Sequence, residues 1–181
     1  MRVFVAIFPP PEVQRTLLLA AQGVSIAGNV RWVHQENIHL TLKFLGDVKP
    51  DALESVHKAL RKIARHHEPF RIQPSGLGAF PSKKRARVVW SAVAEGSVAL
   101  STLAGEIEEA LEPFGFGRVQ KLYKPHMTLG RVRGQPAKLP DGVDVRAPEF
   151  TARRLDLVES VLGADGSTYE KLESYPLSGA S

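Results

Sequence analysis

Two short stretches bring together residues that can do acid–base chemistry: His39-Leu40-Thr41-Leu42 and His126-Met127-Thr128-Leu129. Each alternates polar and apolar. Successive side chains of a β-strand point to opposite faces, so each copy puts its imidazole and hydroxyl on one face and its two apolar residues on the other. Histidine titrates near neutrality, so one imidazole can take a proton while a second gives one. Two hydroxyls can donate to phosphate oxygens. Together these are the groups a metal-free acid–base phosphoesterase needs. With six His and six Thr in 181 residues, chance supplies roughly 0.2 His-x-Thr pairs. Two copies with matching apolar alternation are therefore informative where one would not be.

The residues next to the motifs extend the candidate site. Lys43 continues the polar row of His39 and Thr41, opposite Ile38, Leu40, Leu42 and Phe44. Arg131 falls by strict alternation on the apolar face with Met127 and Leu129, but Gly130 before it permits a bulge that turns it inward. Thr41, Thr128 and Lys43 are thus the candidate substrate contacts that alternation supplies. Trp32 reads as core filling. His57, His66 and His67 read as surface residues without a carboxylate partner at ligand-like spacing, so no metal is expected. No phosphate-binding loop of the Gly-x-x-x-x-Gly-Lys-Ser/Thr type occurs, and no cofactor is expected.

These motifs need strands to carry them and helices to back the strands. Residues 2–8 read as a buried strand and 12–22 as a helix, with a turn at Gly28-Asn29. Gln35-Glu36-Asn37 reads as a turn feeding the first motif strand. Pro50 opens a helix with Leu53, Val56, Leu60 and Ile63 on one face. Strands follow over 69–75 and 87–93, separated by a basic loop from Gly76 to Arg87. Another helix covers about 98–112, then comes the second motif strand. The last strand pair, 149–162 and 168–177, is joined by Ala164-Asp165-Gly166-Ser167, a strong hairpin signal. The tail Ser178–Ser181 reads as loose. The order strand–helix–strands–helix–strands occurs about twice, with one motif in each half. This predicts a single α+β domain over 1–181, built of two related lobes whose motifs face each other across a cleft.

Composition bounds the rest. The 43% apolar and 24% charged content is that of a globular protein, and the absence of cysteine removes disulfides and thiolate chemistry. A cytoplasmic protein without a membrane segment is expected. The net charge of +5 and pI of about 9.6 favour polyanions, nucleic acid first.

The chain resembles the two-histidine phosphoesterase superfamily, and within it the bacterial and archaeal RNA 2′,3′-cyclic phosphodiesterases, also called 2′-5′ RNA ligases. The resemblance rests on Arg2-Val3-Phe4-Val5-Ala6; on Arg31-Trp32-Val33 running into the first motif and Lys43-Phe44-Leu45-Gly46; on Pro125 through Arg131; and on Ser160-Val161-Leu162-Gly163 with Gly166 and Tyr169. It implies a bilobal fold of two antiparallel sheets lining a central cleft, with helices outside. It implies hydrolysis of RNA 2′,3′-cyclic phosphate ends, tRNA-like fragments among them, to 2′-phosphates. His39 is then the proton donor, His126 the proton acceptor, and Arg131 a substrate-binding residue near the phosphate. A reverse, ATP-independent 2′-5′ ligation is also implied, and a monomer is expected. Three alternatives stand beside this reading: an esterase for a small cyclic nucleotide phosphate or 2′-5′ oligoadenylate, a non-catalytic RNA-binding module, and, more distantly, a metal hydrolase.

Overall fold

Apolar periodicity sets the three helices. Val13, Leu17 and Ala21 form the buried stripe of α1 (Pro11–Gln22); Val56, Leu60, Ile63 and Ala64 that of α2 (Pro50–His66); Leu100, Leu103, Ala104, Ile107 and Leu111 that of α3 (Ser97–Leu111). The computed structural model describes residues 1–180. Its strands are β1 (Arg2–Ile7), β2 (Ala27–Trp32), β3 (Leu40–Asp47), β4 (Phe70–Ile72), β5 (Pro74–Phe80), β6 (Val88–Val93), β7 (His126–Lys138), β8 (Phe150–Ala152), β9 (Arg154–Gly163) and β10 (Gly166–Pro176). The α+β class is as expected. No helix among the described residues is long and apolar enough to cross a membrane.

Two separate sheets are expected from the resemblance, and hydrogen bonding gives a different partition. One eight-stranded sheet runs β10-β9-β1-β3-β7-β6-β5, with β2 also pairing β7, and β4 and β8 form a small sheet apart. All its pairs are antiparallel. The two halves of the large sheet meet only where β3 pairs β7, through Leu40 and Met127. These are the same position in each motif.

β1 is buried on both faces, and its residues divide between two apolar clusters. Val3, Val5 and Ile7 belong to the main core with the three helices, while Phe4 and Ala6 pack with Val158, Phe8 and Tyr169. This second, smaller cluster backs the first motif.

Three local expectations are corrected. Gly28-Asn29 is not a turn but part of β2. The glycine-rich stretch from Gly76 is not loop: Pro74–Phe80 is strand β5. Gly78 serves packing there, since a Cβ at that position would lie 2.2 Å from the Trp90 ring. The tail is docked, with Ser178 and Gly179 donating backbone N–H groups to the carbonyls of Ala64 and His67 (Ser181 lies outside the described residues). His57 and His67 stay without ligand-like spacing in sequence, yet each pairs in space with one carboxylate, Glu173 at 2.9 Å and Glu106 at 2.6 Å. Even so, no group of three or more His, Cys, Asp or Glu able to hold a metal occurs among the described residues.

Candidate active site

The meeting of β3 and β7 builds the site. Antiparallel pairing of Leu40 with Met127 sets His39 and Thr41 on either side of one partner, and His126 and Thr128 on either side of the other. The apolar pair drops into the core, both residues fully buried. The four polar side chains therefore emerge on the opposite face, and all four line one cavity of about 660 Å³.

Each imidazole is held the same way. His39 Nδ1 lies 2.7 Å from the carbonyl of Asn37, and His126 Nδ1 lies 2.7 Å from the carbonyl of Lys124. A carbonyl can only accept, so Nδ1 carries the hydrogen in both rings and Nε2 is left for chemistry. The turn before His39 is itself anchored: buried Gln14 of α1 donates to the carbonyl of Ile38 at 2.8 Å.

The surroundings differ. His39 sits among Phe4, Phe8 and Tyr169, with ring centroids at 5.0, 5.2 and 5.2 Å. Its Nε2 is 2.9 Å from Thr41 Oγ1. Burial lowers its pKa to about 4; the hydrogen bond to Asn37 opposes this and the neighbouring His126 adds to it. His126 packs edge-on to Phe80 at 4.9 Å and against Trp90 at 5.9 Å. Burial lowers its pKa too; the Lys124 carbonyl opposes, and the charges of Lys124 and Arg131 lower it further.

Two bulges decide which flanking residues join the cavity. Along β3, Ala6 pairs Thr41 and Val5 pairs Lys43, so Leu42 is an extra residue. Along β7, Trp90 pairs Thr128 and Val89 pairs Gly130, so Leu129 is extra. After each bulge the alternation is reversed. Arg131 thus turns to the cavity, where it is exposed and lines the wall.

Lys43 turns the other way, and its expected approach to substrate is corrected. It is only 3% exposed; its Nζ pairs with Glu108 of α3 at 2.6 Å and donates to the carbonyl of Gly117 at 3.0 Å. Phe44 takes its place in the cavity, 65% exposed.

Other wall residues escape a reading of the sequence. Trp32, expected in the core, lines the cavity while only partly buried. Tyr169 and Phe80 arrive from strands far away in sequence. The β9–β10 hairpin is fastened over one side: Arg31 donates to the carbonyl of Asp165 and Asn37 to that of Ser167, both at 2.9 Å. The aromatic character of Tyr169 and Phe80 is visible in the sequence, but nothing local points to their meeting the histidines.

An α+β sheet that brings two tautomerically matched imidazoles and two hydroxyls into one basic cavity defines a site for acid–base work on an anionic ester. Comparison with known proteins gives this class its family. The chain belongs to the LigT-like phosphoesterase family, whose model matches residues 7–90 and 92–169. It is 31% identical to the RNA 2′,3′-cyclic phosphodiesterase of Aquifex aeolicus, covering 99% of this chain and 98% of that one. It is 32% identical to the protein of the same name from Archaeoglobus fulgidus, covering 97% and 99%. The crystal structure of the protein TT0787 of Thermus thermophilus matches with a TM-score of 0.83 at 30% identity, covering 99% of each chain.

Proposed function

We propose that the protein hydrolyses RNA 2′,3′-cyclic phosphate ends to 2′-phosphates, with His126 as proton acceptor and His39 as proton donor. Water gives a proton to His126 Nε2 as its oxygen attacks phosphorus. The P–O3′ bond breaks, and O3′ takes the proton held by His39 Nε2. Attack and departure are in line, so the two rings serve opposite sides of the phosphorus. Thr41, Thr128 and Arg131 hold the non-bridging oxygens, where donors aimed at developing charge are most effective. A 5′-hydroxyl in place of water gives 2′-5′ ligation by the same step, without ATP. The leaving group is already in the ester, so the scheme uses no metal or cofactor. The half-sheets β10-β9-β1-β3 and β2-β7-β6-β5 are then the two lobes of one domain, acting as a cytoplasmic monomer.

One observation carries this reading: two histidines, each with Nδ1 tied to a backbone carbonyl so that Nε2 is the unprotonated nitrogen of the neutral ring, line one cavity from separate halves of the sheet. The low pKa of His39 fits a donor that is charged only with substrate bound. Protonating a group of pKa about 4 at pH 7 costs about 4 kcal/mol. A phosphate charge ~4 Å away returns about 4 kcal/mol at an effective dielectric of ~20. The names of the full-length relatives support the substrate. The exposed arginines Arg31, Arg131 and Arg133 in the cavity wall suit an RNA strand better than a lone nucleotide.

The test is incubation with a 2′,3′-cyclic-phosphate RNA and a matched mononucleotide, with chelator and without ATP. Wild type is expected to yield a 2′-phosphate. His39→Ala and His126→Ala are each expected to lose about 10²–10⁴ in rate while still binding RNA. A 3′-phosphate product, or turnover that survives either substitution, overturns the assignment.

A further inference from the structure

The two histidines are gripped by the same backbone device, but the residues doing the gripping differ. Each Nδ1–H is taken by the carbonyl two residues earlier, from Asn37 for His39 and from Lys124 for His126. The Asn37 side chain is uncharged and turns away to Ser167. The Lys124 side chain lies over aromatic rings instead. Its Nζ stands 4.8 Å from the Trp90 ring centroid and 5.9 Å from that of Phe80. Those are the two rings against which His126 packs. No carboxylate among the described residues pairs with this ammonium.

We propose that Lys124 is a positioning residue that keeps His126 neutral and ready to accept a proton, its backbone fixing the ring's tautomer and its ammonium disfavouring imidazolium. The proposal rests on the reading of His126 as acceptor. A carbonyl on Nδ1–H, acting alone, favours the charged ring. An ammonium held on the flanking aromatic faces opposes it, because like charges in one neighbourhood repel. The two effects of Lys124 on the pKa of His126 do have these opposite signs. The other charges facing the ring are Arg131 of the same strand, which acts in the same direction, and His39 across the β3–β7 junction. From β5 and β6 it meets the uncharged Phe80, Trp90 and its register partner Ala92. Lys124 itself is exposed and does not line the cavity, so its influence is screened by salt and is separable from substrate contact.

The experiment is an NMR titration of the His126 imidazole in wild type, Lys124→Gln and Lys124→Arg, beside pH profiles of kcat/KM at low and high salt. In Lys124→Gln the His126 pKa is expected to rise. Activity on the acid limb should fall about 2- to 10-fold, with little change at alkaline pH. Lys124→Arg should restore both, and high salt should bring wild type towards Lys124→Gln. An unmoved His126 titration overturns the proposal. So does a rise in KM that is uniform across pH, which would mark Lys124 as a phosphate contact. The titration needs no turnover, so it remains decisive even if His126→Ala proves active and the acceptor reading fails.

Discussion

The two motif copies are alike in backbone and unlike in surroundings. Both are His-x-Thr followed by an apolar residue that bulges, at Leu42 in β3 and at Leu129 in β7. Both pin Nδ1 to the carbonyl two residues back. The copies part company after the bulge, where Lys43-Phe44 stands in one and Gly130-Arg131 in the other. In β3 the pair sends a lysine under the sheet to Glu108 and a phenyl ring into the cavity. In β7 the glycine lets β2 close in, since a Cβ there would meet Val30 at 2.6 Å, and the arginine faces the cavity. A repeated tetrapeptide thus specifies how an imidazole nitrogen is presented, and its neighbours specify what surrounds it. One histidine sits among three aromatic rings; the other packs against two and is also bordered by the cations Lys124 and Arg131.

The largest test of this contrast concerns Lys43, which sits where a cavity residue would be if the bulge were absent. Its ammonium is buried and ion-paired, so Lys43→Met takes the counter-charge from Glu108, leaving that carboxylate the Val119 N–H at 3.3 Å, and strips the Gly117 carbonyl of its lysine donor. Removing one member of such a pair costs about 3–5 kcal/mol. Urea unfolding should show that loss, while kcat/KM of the folded protein at low temperature changes less than about threefold. A large fall in kcat/KM without loss of stability would mean that Lys43 reaches the substrate after all.

The next test uses the aromatic cage around His39. Its imidazole titrates at about 4 in the folded chain against 6.5 when unfolded. Between those values the unfolded chain binds more protons, so stability rises with pH across this window and falls as pH drops through it. The His39 contribution to that fall is about 3 kcal/mol, and it is level above pH ~6.5. The lowered pKa of His126 acts with the same sign. Urea midpoints measured from about pH 4 to 7 should therefore slope less steeply in His39→Gln than in wild type. Parallel curves would show that the ring is not held away from water.

What can be read from the sequence divides along the same line. Alternation in the motifs and apolar stripes in the helices are local, so His39, Thr41, His126 and Thr128, the three helices and the final hairpin are all legible. Bulges are not local. Whether Leu42 is an extra residue depends on the register of β1 beside it, and so the face of Lys43 cannot be read from alternation alone. Arg131 is easier because Gly130 flags a possible bulge. The Gly76–Phe80 stretch resembles a loop because its glycines answer to the Trp90 ring, a contact set by the pairing of β5 with β6. The cage around His39 draws on β1, on Phe8 just beyond it and on β10, which only the folded sheet brings together.

The smallest expected effect sharpens the comparison most. Thr41 Oγ1 already touches His39 Nε2 at 2.9 Å, whereas Thr128 has no such contact with His126. Thr41 therefore serves its imidazole as well as the phosphate in the proposed reaction, and Thr128 serves the phosphate alone. Replacing either by valine keeps the β-branched shape and removes the hydroxyl. Losing one donor to a developing charge at Thr128 should lower kcat/KM on a cyclic-phosphate RNA by roughly 10- to 150-fold, in keeping with a net charged hydrogen bond of ~1.5–3 kcal/mol. Thr41→Val should lose more, and it should also move the pH dependence, because the group facing His39 Nε2 has changed. Equal losses with unshifted pH profiles would mean that the His39–Thr41 contact does nothing during turnover. The two copies would then be equivalent at their hydroxyls and would differ only in their rings.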